Sequence, residues 1–149
     1  MTPLRDAGHW LGLGEAGRDD LPQRLSRDIE ELLNHLCLRD GARQGAAGGS
    51  VLAWGLPSCA GRTVDEAFLG ELARDVGTAL RHFEPRLDPR SIDVTPRPGA
   101  RHMRSRCRLI LRARPAGPAA AELDWEIRVD ANFGRVSVAL AGEPVPRTR

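Results

Sequence analysis

Lysine and tyrosine are absent from this chain, and its 149 residues hold only three cysteines, three tryptophans and three phenylalanines. Every basic side chain other than histidine is therefore arginine, alongside abundant Ala, Gly and Pro. That pattern reads as a compositional bias of the source, so arginine content alone does not argue for nucleic-acid binding. Cys37, Cys59 and Cys107 are odd in number, and no pair has metal-ligand spacing. Neither a zinc site nor a short disulfide framework is indicated, and a reducing compartment is expected. No uninterrupted apolar run approaches the length that spans a bilayer, so direct membrane insertion is not expected. The stretch Met1-Thr2-Pro3-Leu4-Arg5-Asp6 also lacks the apolar core of a signal peptide. A cytoplasmic protein is the expectation.

What is present fits one compact domain. Hydrophobic residues make up 41% and charged residues 28%, which suits a globular class better than a disordered one. A chain of this size buries roughly two thirds of its unfolded surface, enough for one core. The net charge of +2 is too small for the whole-protein field to hold a polyanion.

Periodicity divides the chain in two. Residues 1–20, rich in Gly and charge, read as a flexible N-terminal arm carrying Trp10. Leu25, Ile29, Leu32, Leu33 and Leu36 recur at helical spacing and predict a helix from Ser26 to Leu38, with Ser26 as N-cap and Asp28 and Glu30 in the first turn. Gly41 and the run Gly45–Gly49 predict a loop, followed by the short apolar segment Ser50–Pro57 packed against the core. Thr63-Val64-Asp65-Glu66 reads as a capping box opening a second helix. Phe68, Leu69, Leu72, Val76, Ala79, Leu80 and Phe83 form its apolar face, and Pro85 stops it. Thereafter the period is two, through Ile92/Val94, Cys107–Ala113, Leu123–Val129 and Val136–Leu140. Gly117-Pro118 and Asn132-Phe133-Gly134 supply turns. The expected fold is α+β, with two N-terminal helices packed on a C-terminal antiparallel meander of about four strands.

The inventory for catalysis is thin. His9, His35, His82 and His102 are scattered, and no triad, Walker loop or dinucleotide fingerprint occurs. The Gly45–Gly49 run lacks the lysine that a phosphate cradle needs. A glycosidase requires two carboxylates across a cleft, for which Glu84 with Asp88 or Glu126 can be nominated. Arg86, two residues beyond Glu84, favours the ionised carboxylate and works against a general acid, so an ion pair at a helix terminus is the better reading. The basic stretch Arg97–Arg114 contains no acidic residue, and Arg104, Arg106, Arg108, Arg112 and Arg114 share one strand parity. It reads as a solvated face paired with Glu122, Asp124 and Glu126, or as a protein contact. Without exposed aromatic residues it makes a poor nucleic-acid sheet.

Three segments in order, Arg27-Asp28-Ile29-Glu30-Glu31-Leu32-Leu33-Asn34, Ser50-Val51-Leu52-Ala53-Trp54-Gly55-Leu56-Pro57 and Phe83-Glu84-Pro85-Arg86-Leu87, resemble the TssE family of type VI secretion systems, related to the gp25-like wedge protein of contractile phage baseplates. The resemblance covers about residues 21 to 140 and implies a baseplate domain over 21–142, leaving a tail at 143–149. It implies a structural, non-enzymatic wedge subunit without cofactors or nucleic acid, held by TssF and TssG, working beside TssK and meeting the first ring of the TssB–TssC sheath. Such a subunit is cytoplasmic and recruited to the inner-membrane-attached apparatus. Glu84, Pro85 and Arg86 would grip the core bundle of the wedge, and Arg104, Arg106 and Arg108 would add a partner-binding stripe. An open sheet edge could accept a sheath strand, and replacing Arg86 is expected to leave the isolated fold intact. The alternatives are a lysozyme-like enzyme acting on peptidoglycan and a sheet-based nucleic-acid binder.

Overall fold

Leucines and isoleucine spaced three and four apart give the first helix a single apolar side, and in the computed structural model that side faces a sheet. The structure describes residues 21–35, 56, 61–98, 105–118 and 120–141. Helix α1 spans Leu21–Asn34 and α2 spans Glu66–Phe83. Strands β1 (Asp93–Pro96), β2 (Arg106–Ala113), β3 (Leu123–Asp130) and β4 (Arg135–Leu140) follow as one antiparallel sheet in the order β1-β2-β3-β4. The α+β expectation holds, with both helices ahead of the strands. The N-terminal arm 1–20, the loop Gly45–Gly49, the tail 143–149 and most of Ser50–Pro57 lie outside the described residues, as do Cys37, Cys59, His9, His102, Arg101 and Arg104.

Two helix starts differ from the sequence reading, each for a local reason. α1 begins five residues before Ser26, because Pro22 sits in the first turn, where its missing N–H costs nothing. Asp28 and Glu30 therefore stand mid-helix, away from the positive end of the dipole. Ser26 donates back to the Pro22 carbonyl at 2.8 Å and accepts from the indole Nε1–H of Trp125 at 3.0 Å. The hydroxyl read as a cap instead satisfies the polar atom of a fully buried tryptophan. In α2 the cap is Asp65, not Thr63: its carboxylate accepts from Phe68 N–H at 2.7 Å, placing Glu66 in the first turn. The C-terminal end is as expected. Helical residues stop at Phe83, Glu84 caps by donating its N–H to the Leu80 carbonyl, and Pro85 prevents another turn.

The core lies between the helices and one sheet face. Cys107, Leu109, Leu111, Ala113, Trp125, Ile127, Val129, Val136 and Val138 point into it from the strands, against Leu25, Ile29, Phe68, Val76 and Leu80. Leu56 joins them, buried, with its N–H donating to the His35 carbonyl. The other sheet face is polar. The β3–β4 turn closes at Gly134, whose φ of +63° suits a residue without a side chain.

Neither edge of this sheet is a bare ladder. α1 runs beside β4, and the Asn34 side-chain amide bonds both main-chain groups of Val136: Nδ2 donates to its carbonyl and Oδ1 accepts from its N–H, each at 2.8 Å. One turn earlier, Glu30 Oε2 accepts from Val138 N–H at 2.8 Å. Four helical residues rise about 6 Å and two strand residues about 6.8 Å, so the two side chains match the outward-facing groups of β4 as an added strand would. At the opposite edge, the bond from Arg97 N–H to the Arg108 carbonyl fixes which residues of β1 face β2. Val94 and Pro96 consequently face outward, and Pro96 has no N–H to offer.

Asn34→Ala removes both bonds to Val136. It should lower unfolding free energy in urea by about 1–2 kcal/mol, below the full cost of a buried unsatisfied pair because water reaches the freed groups. Exposure of the β4 edge should also raise self-association in sedimentation velocity. Unchanged stability and an unchanged sedimentation profile would mean that the edge is protected in some other way.

Candidate functional site

Glu84, Pro85 and Arg86 come together as a corner built by the end of α2. Glu84 is the buried charged residue of the described core, 6% exposed. Its carboxylate is held by a two-pronged contact: Arg86 Nε donates to Oε1 and Arg86 Nη2 to Oε2, both at 2.8 Å. The Arg86 main-chain N–H adds a third bond to Oε1 at 3.2 Å. Only two residues separate the partners, and the stiff ring between them fixes the reversal that lets both side chains meet. Planar guanidinium and planar carboxylate fit in parallel, the geometry in which such pairs are strongest.

Arg86 also reaches α1, where Nη2 donates to Asp28 Oδ2 at 2.6 Å. The guanidinium is thus held charged well above its ordinary range, first by the Glu84 hydrogen bond, against the opposing pull of burial, and then by Asp28. Its charge is constant at any pH where the protein is folded. Main-chain bonds lock the corner from behind: Ala116 N–H donates to the Arg86 carbonyl at 2.7 Å, and Asp88 N–H to the Arg114 carbonyl at 2.8 Å. Buried Leu87 bridges to Pro115 between them. In front lies a hollow of about 320 Å³ lined by Asp28, Glu31, Leu32, Phe83 and the corner itself. Pro85 and Glu31 are exposed at its rim.

The corner does not set two free carboxylates across a cleft. The Glu84 oxygens are occupied by donors, and Glu126 projects from the sheet face turned away from the helices, so the two carboxylates share no cleft. Asp88 takes up the Arg90 N–H and lies 3.8 Å from Arg114. Among the described residues, no three His, Cys, Asp or Glu side chains converge as metal ligands. No helix among them is long and apolar enough to cross a membrane.

The basic stripe is largely answered by the next strand. Arg106 pairs with Asp130 at 3.3 Å and Arg112 with Asp124 at 3.5 Å. Arg108 comes only within 3.9 Å of Glu126. Glu126 is bonded instead by Arg128 at 2.6 Å and by Arg97. Sequence reading found the Glu84–Arg86 contact because it is local. It missed Asp28, which is 58 residues from Arg86, and it missed Arg128, whose place beside Arg108 depends on the β2–β3 register.

Replacing Arg86 is expected to cost stability even in the isolated chain, because the buried Glu84 carboxylate would lose its counterion. Arg86→Ala should cost about 2–3 kcal/mol, somewhat under the usual 3–5 for a broken buried pair because Arg86 is itself part-exposed. Adding Glu84→Gln should recover much of that loss in urea unfolding. Simple additivity of the two changes would show that the pair is not coupled.

Comparison with known proteins places residues 19–116, well over half of the chain and the whole corner, on the family model described as baseplate wedge protein gp25. No curated protein and no solved structure gives a significant match.

Proposed function

We propose, from the premise that the chain belongs to the family of the baseplate wedge protein gp25, that it is the TssE-type structural subunit of a type VI secretion baseplate wedge. The observation that carries this reading is the Glu84–Pro85–Arg86 corner, which lies inside the matched residues and is rigid, charged and open at Pro85. A wedge subunit needs a fixed protrusion whose shape survives assembly, and a proline between two members of a salt bridge supplies one. TssF and TssG hold the corner, with the hollow beside it receiving an element of their core bundle. TssK works alongside, and the sheet side meets the first TssB–TssC ring. A sheath strand that adds to the sheet meets β1 or the part of β4 beyond Val138, since Glu30 and Asn34 hold the rest. The subunit acts on the cytoplasmic side, recruited to the inner-membrane-attached apparatus, and its role is scaffolding, not turnover.

The test is retention of the chain by affinity-tagged TssF co-expressed with TssG. Because Arg86 and Pro85 also support the fold, the informative variant is Glu31→Arg, which reverses a charge on the exposed rim of the hollow and leaves Pro85 and the Arg86 bonds in place. Wild type should be retained in fixed ratio and the variant roughly ten-fold less, a difference of about 1.4 kcal/mol, with unchanged Tm. Equal retention of both, or failure of the wild type to bind, contradicts the proposal. Release of peptidoglycan fragments by the wild type would favour the lysozyme-like alternative.

A further inference from the structure

The outer sheet face carries a charge imbalance that runs across the strands. The main-chain bond from Arg97 to Arg108 sets those two side by side on β1's extension and β2, and the β2–β3 register sets Arg108 directly opposite Arg128. Arg97, Arg108 and Arg128 therefore form one cross-strand row. Like charges placed directly opposite each other on neighbouring strands destabilise a sheet. One carboxylate, Glu126, answers all three: Arg128 and Arg97 bond it, while Arg108 stays 3.9 Å away. Each flanking arginine on β2 has an acid of its own, Arg106 with Asp130 and Arg112 with Asp124. Among the described residues of the row, three guanidinium groups meet one carboxylate, a shortfall of two.

We propose that this row is a docking site for an acidic protein segment presenting two carboxylates, a surface separate from the corner and independent of the wedge assignment. Neighbouring strands lie about 4.8 Å apart, so the row spans roughly 10 Å. Carboxylates three or four residues apart on a helix, about 5–6 Å, or two apart on a strand, fit across it. Each guanidinium keeps donors beyond those used on Glu126, and all three side chains are between 41% and 46% exposed. The surrounding residues are Thr95, Ile110, Ser137 and Ala139. Arginine is the charged residue enriched at protein interfaces, where Lys, Asp and Glu are depleted. A nucleic-acid surface would add aromatic platforms for bases, and the described strand residues of this face include none.

The experiment uses the whole chain and a fluorescent fourteen-residue helical peptide with paired glutamates at i, i+4, read by anisotropy. A Glu→Gln peptide and a single-stranded oligonucleotide serve as the other arms. Arg108→Gln is the main variant, because Glu126 keeps Arg97 and Arg128 and the fold is undisturbed. Arg112→Gln removes one positive charge from the same face outside the row. Binding of the acidic peptide should weaken at least five-fold with Arg108→Gln, change less than two-fold with Arg112→Gln, and vanish with the Gln peptide. Equal losses for the two variants would reduce the effect to diffuse charge and overturn the proposal. No binding by the wild type, or tighter binding of the oligonucleotide with the same arginine dependence, would also overturn it.

Discussion

The carboxylate of Glu84 is held out of water, and one side chain, Arg86, answers its charge. An ionised group in that position is expensive unless its lone pairs are used, and three hydrogen bonds reach it from a single residue two positions away. The rest of the local structure follows from that need. Pro85 ends α2 and turns the chain so that the guanidinium lies flat against the carboxylate. Asp28 draws the second half of Arg86 onto α1. The connection between β2 and β3 closes over the back through Ala116 and Arg114. A corner fixed from three elements keeps its shape when nothing is bound. Preorganisation of that kind lowers the ordering cost of docking, which is what a scaffold subunit requires.

α1 serves this fold in two directions. Its apolar side closes the core, and its polar side ties Asp28 to the corner and Glu30 and Asn34 to the margin of β4. The asparagine amide acts as a surrogate peptide group, bonding one strand residue through both its N–H and its C=O. A sheet margin satisfied by the chain's own side chains resists unplanned strand pairing. In the proposed role, recruitment into a larger assembly would proceed through shaped and charged surfaces, at the corner and across the arginine row, with strand addition confined to short stretches.

The helices, the order of strands and the core residues were readable because each rests on local periodicity. Trp125, Ile127 and Val129 alternate with charged neighbours whatever the topology. Cap positions were less legible. Ser26 and Thr63 have the right chemistry for caps, but Pro22 extends one helix and Asp65 outcompetes the threonine in the other. Of the candidate site, the Glu84–Arg86 contact could be inferred from spacing alone. The participation of Asp28, the sealing of β4 by Asn34 and the arginine row could not. Each is a meeting of residues far apart in sequence, fixed by strand register and by the direction in which α1 crosses the sheet. The basic stripe shows the difference plainly: parity put the arginines on one face, but only register showed which of them have acids of their own.

A density map of an assembled baseplate containing this subunit tests the central claim most directly. Partner density should cover Pro85 and fill the hollow beside Glu31, with Arg86 still forked on Glu84 and Asn34 still bonded to Val136. A corner facing solvent in the finished assembly, with α1 displaced and a foreign strand lying along Val136 and Val138, would contradict the account.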